Sequence, residues 1–73
     1  MAKPKYWTGR VGPNDDFGNP ITDEFIDLNT HSWGWAKVAA DQWPKYRLYT
    51  RLGVGMGQRY RRQPDGRWLK VEG

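Results

Sequence analysis

The sequence predicts a small, mostly-β domain of the α+β class with one short helix. The 73 residues limit the chain to a single domain. There is no cysteine and only one histidine, so we expect a fold held by packing, without a disulfide or a zinc site. The C-terminal half reads as strands separated by glycine-rich and turn-forming segments, which favours an antiparallel sheet.

The first 20 residues are expected to be a loosely ordered, flexible N-terminus. Tyr6-Trp7-Thr8 is compatible with a short strand, and residues 12–20 are dense in Gly, Pro, Asn and Asp, which predicts a loop. The following segment, Ile21 to Leu28, fits either one helical turn or a short irregular strand. Its spacing does not separate the two.

The one helix is expected near residues 33–42. Trp33, Ala36, Ala40 and Trp43 would then share a face at helical spacing, and the Ala-Lys-Val-Ala-Ala-Asp-Gln run has helical propensity. Pro44 would end it. The alternative is a strand over Trp35–Ala39, and Gly34 weakens the case for a helix.

Three antiparallel strands forming a meander are predicted for the C-terminal half. Tyr46 to Leu52 alternates apolar and polar side chains, as a half-exposed strand does. After a flexible connection over Gly53–Gly57, Gln58–Gln63 and Trp68–Val71 form a closing hairpin around the turn Pro64-Asp65-Gly66.

Charge is divided unevenly along the chain, whose formal net charge is +4. Residues 1–11 carry +3, residues 12–29 carry −5 and residues 30–73 carry +6. A basic C-terminal half suits phosphates or an acidic protein patch. The acidic segment either folds over part of that basic surface, mimics an anion for a basic partner, or belongs to an ordinary mixed surface.

Catalytic and cofactor motifs are weak. Gly53, Gly55 and Gly57 match neither a Walker loop nor a dinucleotide fingerprint. The paired carboxylates lack a pocket suited to acid–base work, and His31 has no nucleophile at a recognisable spacing. We therefore expect no enzyme activity, no catalytic residue, no metal and no cofactor. Without an apolar run for a signal peptide or a membrane span, the expected location is the cytoplasm.

The most distinctive feature is a basic ribbon of Arg59, Arg61 and Arg62 with Tyr60 interleaved; Arg67 lies across the hairpin turn. Arginine forks bind carboxylate or phosphate in bidentate fashion, and Trp, Tyr and Arg are common interface anchors. The alternative is that these charges only keep the exposed edge of a hairpin solvated and bind no partner. The predicted partner-binding residues are Trp43, Tyr49, Arg51, Arg59, Arg61 and Arg62.

The stretch from Gly53 to Gly73, and the segment Asn19 to Asp27, resemble parts of small phage-encoded proteins. Relatives carry a Cys-x-x-Cys knuckle near Ala39 to Trp43 that this sequence lacks. Length and basicity are similar to those of a lytic-phage regulator of host transcription. That resemblance implies a monomer in the bacterial host cytoplasm. It would bind the β′ N-terminal region of RNA polymerase, displace the sigma factor and promote antitermination.

The alternative function, which comes from the residues and not from the resemblance, is direct nucleic-acid binding, with Tyr49 and Tyr60 stacking on bases.

Overall fold

A computed structural model describes residues 3–73 and shows one four-stranded antiparallel sheet. The strands are β1 (Glu24–Thr30), β2 (Gly34–Ala39), β3 (Gly57–Arg62) and β4 (Trp68–Glu72), in the order β2-β1-β3-β4. A 3-10 turn, Ala40–Gln42, leads into a short helix, α1 (Trp43–Tyr46). The mostly-β class with one short helix and a C-terminal hairpin is thereby confirmed.

The helix expected at residues 33–42 is wrong in its first part, where the chain forms β2. Its register against β1 runs from Phe25 opposite Ala39 to Thr30 opposite Gly34. Gly34, at φ +66°, closes the hairpin in a conformation that side chains disfavour. This pairing buries Val38 between strands, and the tertiary gain outweighs the helical propensity of the alanines. Helical structure begins only at Ala40.

The predicted strand from Tyr46 to Leu52 is also wrong. Tyr46 ends α1, and the only β-bridge that follows pairs Arg47 with Thr30. Both edges of β1 are already occupied by β2 and β3, so this segment has no strand to extend along. It instead crosses the end of the sheet and turns Leu52 against the core.

Two different packing layers cover the two faces of the sheet. One face is aliphatic: Ile26, Leu28, Ala36 and Val38 are buried, and Phe17, Trp43, Tyr46 and Leu52 pack against them. The other face is aromatic and centres on Phe25, which is fully buried. Its ring lies 5.1–5.3 Å, between centroids, from those of Trp7, Tyr60 and Trp68. The alternation of strand side chains separates the two layers.

The N-terminal segment covers both exposed sheet edges. Trp7 N donates to Trp68 O and Lys70 N donates to Lys5 O, so residues 5–7 run alongside β4. At the opposite edge, the loop around Asp15 and Asp16 hydrogen-bonds to β2. Covered edges hinder pairing with other chains. The expected loose order of residues 1–20 stays a prediction, and residues 1 and 2 lie outside the described part.

Candidate binding surface

The arginine ribbon lies on β3 and is engaged by acidic side chains of the same chain. Glu24 lies between two arginines: Arg59 Nη1 is 3.0 Å from one carboxylate oxygen and Arg61 Nε is 2.7 Å from the other. Arg59 also reaches Glu72 at 3.1 Å. The β1–β3 register accounts for this arrangement, since Glu24 is opposite Arg61. These two predicted site residues therefore have intramolecular partners.

Arg62 is held in a similar way. Its Nη2 lies 3.5 Å from Asp23, and its guanidinium carbon lies 5.8 Å from the ring centroid of Trp68. Of the possibilities for the acidic segment, the structure thus shows the one in which it folds against basic side chains. Asp23 and Glu24 form ion pairs with the ribbon arginines. Asp15 and Asp16 instead accept hydrogen bonds from backbone N–H groups at the edge of β2.

Glu24→Gln is expected to lower the free energy of unfolding by about 1–2 kcal/mol, because hydrogen bonds to charged groups are lost in a partly buried site. Burial by itself raises the pKa of Glu24, but the hydrogen bonds and charges of Arg61 and Arg59 outweigh it and lower the pKa below 4.5. The carboxylate therefore stabilises the fold fully above its ordinary pKa. That contribution disappears as the pH falls through the lowered pKa.

Urea unfolding of the wild type and Glu24→Gln between pH 2 and 7 checks this prediction. The matched control is Glu72→Gln, which removes an exposed partner of Arg59 and should cost less than about 0.5 kcal/mol. Equal costs for the two variants would contradict a special role for Glu24.

Trp43 is half-buried and packs against the aliphatic core, so it is only partly open to a partner. It begins α1, packs against the aliphatic core, and its buried indole nitrogen has no hydrogen-bond partner among the described residues. The Arg47 guanidinium carbon lies 5.4 Å from its ring centroid. Trp43 therefore packs against the core on one side, and the Arg47 guanidinium lies over its ring.

Tyr49 and Arg51, the remaining predicted site residues, lie at one end of the sheet. Three segments meet there: the β1–β2 turn, the end of α1 and the glycine loop before β3. His31 N donates to Tyr46 O at 3.1 Å, and Asn29 Nδ2 donates to Gly55 O at 3.1 Å. Phe17 stacks on Tyr46 with ring centroids 4.1 Å apart and contacts Trp33 edge-on. These contacts hold the three segments together.

We call residues 29–35 and 45–56 the acid-free end, because neither range contains Asp or Glu. Among residues 3–73, five of the six exposed large apolar or aromatic side chains lie in it. Trp33 is 73% exposed, Tyr49 44% and Val54 92%. Its other two are Trp35 and Leu48. Such a concentration of exposed apolar groups is typical of an interaction surface.

The acid-free end is also cationic. It contains Lys45, Arg47 and Arg51, and none of the three forms an ion pair with another described residue. The surface thus combines exposed aliphatic side chains, exposed Trp and Tyr rings, and cations that form no ion pair with another described residue. That chemistry suits a negatively charged partner surface with apolar pockets.

The sequence predicts Tyr49 and Arg51 as site residues but not Trp33, Trp35, Leu48 or Val54. One signal in the sequence could have found Leu48 and Val54, because no Asp or Glu lies between Gln42 and Pro64. Counting charge over residues 30–73 as one block hides that acid-free stretch. Residues 3–73 bring together no group of three or more His, Cys, Asp or Glu side chains suited to a metal. No helix in that range is long and apolar enough to cross a bilayer.

No family model, curated protein or solved structure matches this chain.

Proposed function

We propose that this chain is a non-catalytic protein that works by docking on another protein through the acid-free end. The observation that carries the proposal is that, among residues 3–73, five of the six exposed large apolar or aromatic side chains lie in the acid-free end. The same end contains Lys45, Arg47 and Arg51, which form no ion pair with another described residue. Trp and Tyr anchors surrounded by charge are the usual composition of an energetic centre in a protein interface.

Three observations favour a protein partner over nucleic acid, one at the acid-free end and two elsewhere on the chain. Leu48 and Val54 are exposed aliphatic side chains, which suit apolar pockets of a protein and offer no ring for stacking on bases. Tyr60, the second ring expected to stack on bases, lies in the aromatic layer against Phe25. The ribbon arginines contact Asp23, Glu24 and Glu72, so phosphates would have to compete with those carboxylates.

The resemblance to small lytic-phage regulators supplies the partner in this proposal. The partner is the bacterial RNA polymerase, bound at the N-terminal region of its β′ subunit. Docking there displaces the sigma factor, inhibits initiation and promotes antitermination. Support for this target comes from the resemblance, and support for the docking surface comes from the exposed side chains.

Trp33→Ala combined with Tyr49→Ala is expected to weaken polymerase binding by 30-fold or more, since truncating an anchor typically costs about 2 kcal/mol or more. Binding is measured by titrating purified bacterial RNA polymerase, and separately its β′ N-terminal region, with labelled protein. Both side chains are exposed, so the urea midpoint should stay close to that of the wild type.

Val71→Ala is the matched control, because Val71 is the one exposed large apolar residue among 3–73 that lies outside the acid-free end. It should leave binding unchanged. If the wild type fails to bind either polymerase sample, the partner is wrong. If it binds and the double variant binds equally well, the surface is wrong.

A further inference from the structure

A second basic surface lies at the outer edge of β4, and it shares none of the residues of the acid-free end. It is a groove of about 350 Å³ lined by Lys3, Pro4, Lys5, Lys70, Val71, Glu72 and Gly73. We call it the lysine groove. Three of its seven lining residues are lysines, contributed by two separate parts of the chain.

Backbone pairing forces two of these lysines together. The bridge between Tyr6 and Leu69 and the hydrogen bond from Lys70 N to Lys5 O, at 2.8 Å, set Lys5 opposite Lys70. Residues directly opposite on antiparallel segments project from the same face, and like charges in that position are destabilising. The register therefore places two like charges at opposite positions, an arrangement that is unfavourable in a sheet.

No described carboxylate lies within ion-pairing distance of these lysines. None of the three lysines forms an ion pair, whereas Arg59, Arg61, Arg62 and Arg67 all do. Glu72 lines the groove, but one of its carboxylate oxygens accepts a hydrogen bond from Arg59 Nε at 3.1 Å. The groove is thus a site of concentrated positive charge with room for an external anion.

We propose that the lysine groove binds the phosphate backbone of a nucleic acid. Lysine ammonium groups act as point charges that bind phosphate without demanding one geometry. No aromatic ring lines the groove, so this contact reads no base and is independent of sequence. An acidic protein would be a different partner, but the groove offers no Trp, Tyr or Arg anchor for one.

This inference does not rest on the proposed docking function. The two surfaces carry separate cations, so each can be removed alone. A protein that docks on one macromolecule while holding a phosphate backbone at a second surface would tether the two to each other. Each contact also has its own readout.

The experiment measures fluorescence anisotropy of a labelled twelve-nucleotide dT oligomer and of a twelve-base-pair duplex, from low to physiological salt. Lys5→Gln with Lys70→Gln is compared with Lys45→Gln with Arg51→Gln, which removes the same charge from the acid-free end. We expect the groove variant to bind about 10-fold more weakly at low salt. Its salt dependence should fall by about 1.5 in slope, from two lost phosphate contacts at roughly 0.7–0.9 each.

The control variant should keep its nucleic-acid affinity and lose polymerase binding, and the groove variant should do the reverse. Because the Lys5–Lys70 repulsion is removed, the groove variant should also unfold at the same urea concentration as the wild type or a higher one. Binding of neither probe at low salt overturns the proposal. Equal loss in both charge variants, or equal binding of a poly-glutamate of matched charge, also overturns it.

Discussion

Asp15→Ala is expected to lower the free energy of unfolding by about 3 kcal/mol or more, because several hydrogen bonds to a charged acceptor are lost together and each is worth about 1.5–3 kcal/mol. Asp15 is only 6% exposed. Its carboxylate accepts hydrogen bonds from the backbone N–H groups of Phe17, Asn19 and Ala39 at 2.8–2.9 Å, and from the Asn19 side chain at 3.2 Å. Alanine leaves those donors without an acceptor.

The consequence extends beyond the loop. The bond to Ala39 N joins the loop to the outer edge of β2, where Asp16 N also donates to Lys37 O. Losing it releases the segment that carries Phe17, whose ring stacks on Tyr46 beneath the acid-free end. We therefore expect polymerase binding to weaken together with stability in this variant. Urea unfolding monitored by tryptophan fluorescence gives the stability change.

The same carboxylate predicts a pH dependence. Burial alone raises the pKa of Asp15, but the hydrogen bonds from Ala39, Asn19 and Phe17 outweigh it and lower the pKa below 3.8. The carboxylate thus contributes fully above its ordinary pKa, and the contribution is lost as the pH falls through the lowered value. The stability difference between wild type and Asp15→Ala should therefore shrink below about pH 4.

Asp65→Ala is the control, since Asp65 also accepts a backbone hydrogen bond, from Arg67 N at 2.9 Å, but in an exposed turn. Water replaces its oxygen there, so the cost should be much smaller than that of Asp15→Ala. A similar cost for both variants would show that burial of the Asp15 carboxylate does not matter.

Phe25→Ala is expected to cost about 4 kcal/mol, within the 3–5 kcal/mol typical of removing a buried phenylalanine. Phe25 contributes the central ring of the aromatic layer and contacts Trp7, Tyr60 and Trp68 together. Small domains are stable by only about 0.05–0.15 kcal/mol per residue, so the variant should be close to unfolding at room temperature.

Phe25→Leu distinguishes the contribution of the aromatic contacts from that of the filled volume, because leucine fills much of the same space without an aromatic ring. It should cost less than half as much in urea unfolding. Near-ultraviolet circular dichroism provides an independent reading, since Phe25→Ala should remove the signal of the ordered tryptophans near it. A Phe25→Ala protein that unfolds within about 1 kcal/mol of wild type would show that Trp7 covers the face without Phe25.

The candidate surface was only partly predictable from the sequence. Tyr49 and Arg51 are exposed, as the sequence predicts, but not through the alternation of a strand, because residues 47–52 form none and Leu48 is exposed as well. Arg59, Arg61 and Arg62 were also seen as a cluster. The ion pairs that these arginines form with Asp23 and Glu24 depend on β1 lying beside β3. The paired residues are more than thirty positions apart in the sequence. No local pattern encodes that register.

Local chemistry by itself determined the closing hairpin, the loop at residues 12–20 and the lack of a disulfide. Pro64-Asp65-Gly66 has the residues that tight turns favour, and Gly66 adopts the positive φ that such a turn requires, so short-range geometry suffices for it. Tertiary structure decided that residues 34–39 form a strand, because β1 offered an edge, and that residues 47–52 do not, because none was left. It also decided which cations are paired and which are free, since ion pairing depends on neighbours that only the assembled sheet brings together.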